Sequence, residues 1–171
     1  TINPDFSQVE SDVPMIMANE TFAMSYPEKR TFFLEGSELL KSDLNTVYTR
    51  SVTSPLGALK FVNQGEKSST YVMHATDTES PYLAAGQERS YRGNAGKSKV
   101  TIGRFKRNLG NNSHLGLIAT NRDYQSGGSG SLVEFDGLIN FLDDYILDLN
   151  FARSDTKEGH INYIETDDTF A

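Results

Sequence analysis

The chain has 171 residues, a formal net charge of −7, 37% hydrophobic and 23% charged residues, and no Cys. That length suits one domain or one slice of a larger one, the apolar content is too high for a disordered chain, and the missing cysteine excludes a disulfide scaffold, a thiolate metal site and a cysteine nucleophile. An acidic balance argues against nucleic acid as a partner, and no apolar run approaches the roughly 20 residues of a spanning helix, which leaves a β-barrel open.

Short alternating segments separated by Gly, Asn, Asp and Ser predict an all-β, antiparallel meander. In chain order the strands fall near 46–53, 57–63, 69–76, 98–106, 114–121, 132–141, 145–154 and 160–166. Turn signals lie at Asn63-Gln64-Gly65-Glu66, Gly110-Asn111-Asn112, Leu142-Asp143-Asp144 and Lys157-Glu158-Gly159. Only 36–42 hints at a helical turn. Two stretches read as long loops: 77–97, rich in Gly and containing Pro81, and the low-complexity Tyr124–Gly130.

The hairpin 132–154 is the most informative segment. Val133, Phe135, Ile139 and Phe141 share one face with Tyr145, Leu147, Leu149 and Phe151, while Glu134, Asp136, Asp148 and Asn150 share the other. A three-residue loop at 142–144 pairs Phe141 with Tyr145, Ile139 with Leu147 and Phe135 with Phe151. A two-residue loop would put the apolar sets on opposite faces, so the three-residue loop is expected. Arms of about nine residues with aromatics at their ends suit a tilted membrane strand. The tight turn at 142–144 beside a long loop at 122–131 suits it too. Alternation alone favours a soluble β-sandwich or meander, the commoner home for amphipathic strands.

Several blocks then occur in a fixed order: Asn3-Pro4-Asp5-Phe6-Ser7-Gln8-Val9-Glu10 with Asp12, Pro27-Glu28-Lys29-Arg30 followed by Phe32-Phe33-Leu34-Glu35-Gly36, Val47-Tyr48-Thr49-Arg50, Ile102–Asn108 and Gly116–Arg122. Together they resemble an uncharacterised Gram-negative, Bacteroidetes-type family of outer-membrane β-barrels. In that family the barrel follows a domain similar to carbohydrate-binding module family nine. The resemblance covers roughly 1–155, departs at Thr31, where members usually carry Pro, and offers no catalytic residue. It implies a partial, open transmembrane barrel with a less regular N-terminal part: 1–45 a junction or plug-like segment, 46–171 the first strands. It further implies a place in the bacterial outer membrane, lipid as a partner, a carbohydrate as ligand, and further strands of the same barrel to complete it. The role would be transport, surface binding or structure, with no cofactor.

Four clusters are candidate sites. Lys29 and Arg30 could bind an anionic or sugar ligand, or pair with Glu28 and Glu35 as a structural junction. Asn3, Asp5, Glu10 and Asp12 carry oxygen ligands but lack the spacing of a calcium loop. Glu134, Asp136, Asp148 and Asn150 could form a ligand-binding acidic face, a glycosidase-like carboxylate pair, or a hydrated wall. Arg104, Lys106, Arg107 and Arg122 would make one basic patch or pair across strands. The alternative to a membrane barrel is a soluble carbohydrate-binding β module that stacks sugars on Tyr48, Tyr71, Tyr82, Tyr91 or Tyr124.

Overall fold

A computed structural model describes residues 1–2, 4, 27–85, 90–141 and 145–157, with backbone only for 81–85 and 90–94. Among the described residues eight strands follow a covering segment: β1 (Pro55–Gln64), β2 (Ser68–Asp77), β3 (Pro81–Ala85), β4 (Ser90–Asn94), β5 (Ser98–Gly110), β6 (Ser113–Tyr124), β7 (Ser129–Phe141) and β8 (Tyr145–Lys157). Six form one open antiparallel sheet in the order β1-β2-β5-β6-β7-β8, and β3 pairs β4 in a separate ribbon. The expected all-β meander is therefore present. The last expected strand, 160–166, and the four residues Asn3, Asp5, Glu10 and Asp12 lie outside the described residues.

Register on the last hairpin is the one that buried-face logic demands. Phe141 pairs Tyr145, Ile139 pairs Leu147, Gly137 pairs Leu149 and Phe135 pairs Phe151. The Phe141 and Tyr145 rings stack at 5.6 Å between centroids. Both arms are longer than the alternation suggested, at 13 residues each. At the β5–β6 turn Asn111 and Asn112 adopt φ of 47° and 52°. Two successive left-handed residues are what a two-residue hairpin needs, and Asn tolerates that conformation.

Three expectations fail. Residues 46–53 form no strand. Thr49–Ser51 is a 3-10 turn instead, and its geometry aims the Thr49 and Val52 carbonyls at the Arg30 guanidinium. The loop at 77–97 contains the β3–β4 ribbon. The loop at 122–131 shrinks to 125–128, because β6 runs to Tyr124 and β7 restarts at Ser129. Its ends are closed by the Tyr124 N–H donating to the Gly128 carbonyl at 2.9 Å. Short and long connections still segregate, with a different long member. Tight turns at 65–67 and 111–112 lie at one end of the sheet, the end at which β7 finishes and β8 starts. The excursion 78–97 leaves from the other end.

Period-two alternation gives the sheet two faces. One is covered by residues 27–54. A single helical turn, Thr31–Leu34, is followed by the 3-10 turn Ser37–Leu40. Gly36 between them has φ of 77°, and a Cβ there would lie 2.9 Å from Val62 Cγ1, so glycine is required at this turn on both conformational and steric grounds. Phe33, Leu40 and Val52 pack with Tyr71, Met73, Ala75, Val100 and Ile102 as the hydrophobic core. Lys60 fixes this layer to β1 through its ammonium, which donates to the carbonyls of Phe32 and Glu35 at 2.5 and 2.8 Å. Thr53 and Ser54 donate backbone N–H groups to the Asp77 carboxylate at 3.0 and 2.7 Å, seating the start of β1 against the end of β2.

Candidate functional site

The covered face changes character across the sheet. Under Phe33 and Leu40 it is apolar. On β5 to β8 it carries charge, and it is there that the predicted carboxylates lie. Asp136 is 6% exposed and its two oxygens accept the Arg104 fork, the second bond measuring 2.8 Å. Arg104 stands on β5 and Asp136 on β7, with Gly116 of β6 between them and opposite Asp136 in register. A Cβ on Gly116 would lie 2.5 and 2.6 Å from the two terminal nitrogens of Arg104 and collide with Asp136 Oδ1. The missing side chain is what lets a guanidinium reach across a whole strand. His114 Nε2 approaches Asp136 Oδ2 at 3.5 Å.

Glu134 is fully buried. Its Oε2 accepts the Thr46 hydroxyl, while its Oε1 and the Arg104 Nε have no hydrogen-bond partner among the described residues. Asp148 and Asn150 remain exposed on the edge strand. The Asn150 amide donates to Asp43 Oδ2 at 3.0 Å and to Asp148 Oδ1 at 2.9 Å. The four residues do share a face, as expected, but two are sealed and two are open. Asp136 is taken up by the Arg104 fork, so it is not free to serve as the acid or base of a glycosidase-like carboxylate pair. Residues 41–43 close over β5–β8 and leave a cavity of about 310 Å³, lined by Arg104, Lys106, His114, Asp136 and Asp148 among others.

Lys29 and Arg30 part company. Lys29 is exposed. Arg30 is buried: its Nε and Nη2 donate to Glu28 at 2.8 Å each, its Nη1 and Nη2 donate to the Val52 and Thr49 carbonyls at 2.5 and 3.2 Å, and its guanidinium lies 4.1 Å from the Phe33 ring centroid. It is the structural junction, not a ligand arm. Burial works to raise the Glu28 carboxyl, but the Arg30 and Thr49 hydrogen bonds and the Arg30 charge outweigh it and hold it below the ordinary value.

The basic patch dissolves. Arg104 and Lys106 point to the covered face and Arg107 to the other, by strand alternation. Arg122 sits opposite Val100, and its Nη2 donates to the Ser51 carbonyl at 2.9 Å. Tyr71 is buried, with its hydroxyl 3.5 Å from Met73 Sδ, and offers no sugar platform. Sequence reasoning missed Lys41, Asp43 and Thr46, whose roles depend on a segment far away in the chain. It also missed the Arg104–Asp136 bond, which register could have signalled: a glycine flanked in space by a base and an acid.

The opposite face is bare. Leu59, Phe61, Val72, Phe105, Leu117, Val133, Phe135, Leu147, Leu149 and Phe151 are all exposed, Leu59 at 76% and Phe151 at 67%. Nothing among the described residues covers them. This band does not follow the hydrogen-bonded rows. From Leu59 the row reads His74, Thr101, Asn121, Ser131, Asp155. From Phe151 it reads Phe135, Leu117, Phe105, Thr70, Asn63. The apolar band thus begins with Leu59 and Phe61 on β1 and drifts toward the tight-turn end, reaching Tyr145–Phe151 on β8.

Residues 1–80 match the family model described as Domain of unknown function (DUF5916). Comparison with the curated proteins and with the solved structures gave no significant match. The matched stretch holds the covering segment, β1 and β2. The model carries no activity to transfer.

Proposed function

We propose that this chain supplies the leading strands of a β-barrel in the bacterial outer membrane, with the bare face toward lipid and residues 27–54 lying across the lumen side. The observation that carries this reading is the oblique apolar band. In a closed barrel the strands tilt by roughly 35–45° to the axis, so a belt of constant height must cross the register rows at a slant. Strands of 10 to 13 residues are long enough for such a crossing. An exposed apolar surface of this extent has a solvent or partner of its own kind. Edge β8 is unpaired on its outer side among the described residues, and a further strand of the same barrel is its natural partner. The role is transport, surface binding or structure, and a carbohydrate is the ligand class this reading favours.

Leu147→Arg and Leu149→Arg in the full-length protein should abolish recovery in the outer-membrane fraction. An arginine on the lipid face costs about 2–4 kcal/mol near the midplane. Asp148→Asn, on the other face of the same strand, should fractionate as the parent does. Equal recovery of all three variants removes the lipid-facing account.

A further inference from the structure

The covering segment enters and leaves its face of the sheet at the same end. Its two ends are tied to each other. Glu28 Oε2 accepts the Thr49 hydroxyl at 2.8 Å, the Arg30 Nη1 donates to the Val52 carbonyl at 2.5 Å, and the Arg50 Nη1 donates to the Pro27 carbonyl at 3.1 Å. This neck sits where β2 ends and the excursion 78–97 departs: Thr53 and Ser54 are held by Asp77, and the Ser54 carbonyl accepts the Thr78 N–H at 2.9 Å. From the neck the segment follows β1 toward the tight-turn end. The Phe32 carbonyl meets Lys60, Gly36 meets Val62, and the Glu38 carboxylate accepts the Gln64 amide. It crosses to β8, where Asp43 meets Asn150, and then turns back. Measured along β6, the returning contacts fall level with Gly116 for Asp43 on Asn150, with Ile118 for Thr46 on Glu134, and with Arg122 for Ser51. The path is a loop, 31–48, closed at its base, with its tip near the far end of the sheet.

We propose that 31–48 is a plug loop that goes into the barrel lumen and comes out again through one mouth, the mouth that also carries the β3–β4 ribbon and the 125–128 loop. This rests on the barrel reading and adds to it. A segment threaded through a lumen has its ends at opposite mouths, whereas these ends are hydrogen-bonded to each other. Irregular backbone at membrane depth is tolerated where it lines a cavity of the protein. Antiparallel strands that cross a membrane place successive connections on alternate sides. Lys29 at the neck, Lys97 after the ribbon and Gln125 after β6 therefore share one side, and Glu66 between β1 and β2 lies on the other. The Gln125 N–H donates to the Lys97 carbonyl at 2.9 Å, which keeps those two together. All four residues are exposed.

The chain has no Cys, so a single cysteine placed in it is read against the full-length parent as blank. Lys29→Cys, Lys97→Cys, Gln125→Cys and Glu66→Cys are made in the full-length protein, and intact cells are treated with a bulky, membrane-impermeant maleimide–polyethylene glycol. Detergent-solubilised samples, in which all four should react, give the full signal. On intact cells Lys29→Cys, Lys97→Cys and Gln125→Cys should share one outcome, all labelled or all silent, and Glu66→Cys should show the other. If Lys97→Cys and Gln125→Cys stand opposite Glu66→Cys but Lys29→Cys sides with Glu66→Cys, the segment threads the lumen and the plug loop alone is overturned. If all four label alike, or none reaches the outer-membrane fraction, the strands do not cross a membrane, and the barrel reading falls together with the loop.

Discussion

The two ends of the sheet use the covered face in opposite ways. Over β1, β2 and β5 the segment 27–54 lays Phe33, Leu40 and Val52 on apolar residues, and the polar groups there are well matched: Arg30 is bonded to Glu28 and to two carbonyls, and Asp77 accepts two backbone N–H groups. Over β6, β7 and β8 the same segment makes scattered polar contacts, from Thr46 to Glu134 and from Asp43 to Asn150, above a cavity with orphaned polar atoms. Hydrophobic burial tolerates small misfits because it has no direction, whereas polar groups in a confined space need partners at fixed positions. The first region therefore anchors the segment, and the second covers the sheet without packing tightly on it.

Substitutions can break this contrast. The largest effect belongs to the charged region: Arg104→Ala strands Asp136 and should cost about 3–5 kcal/mol, the usual penalty for leaving one member of a buried pair behind. Gly116→Ala should act through the same pair, by displacing the fork. Denaturant titration checks both. Phe33→Ala in the anchoring region should cost about 3 kcal/mol and free the segment. Limited proteolysis should then cut within 27–54 while the sheet stays intact.

Acid should loosen the anchor as well. The Glu28 carboxyl has a lowered pKa in the fold, so its contribution is complete above the ordinary carboxylate value and is lost as pH falls from there through the folded value. Glu28→Gln should remove this dependence, which a series of thermal melts across that range would show. The smallest effect is expected on the bare face. Phe151→Ser removes a side chain that touches little of its own chain, so folding stability should change by no more than about 0.5 kcal/mol. A much larger loss in detergent-free buffer would mean that something covers the face.

Particular residues show where sequence reading reached. Pairing of Phe141 with Tyr145 and of Phe135 with Phe151 followed from alternation, since a one-residue slip reverses every side chain. The β-branched stretch 46–53 misled, because local strand preference yielded to the demand of the buried Arg30 for two carbonyls. The β3–β4 ribbon was hidden by Pro81 and by glycines that read as loop. Arg104 and Asp136 were each singled out but not joined, since their bond runs over a third strand.

What the sequence alone determined is that this is a β meander with one greasy and one polar side on its last hairpin, because alternation is written residue by residue along a strand. Only the tertiary structure decided which side is covered, where Arg104 finds Asp136, and that the apolar band runs oblique to the register. Those outcomes depend on how six strands align with one another and on a covering segment distant in the chain, and no local pattern encodes such distances.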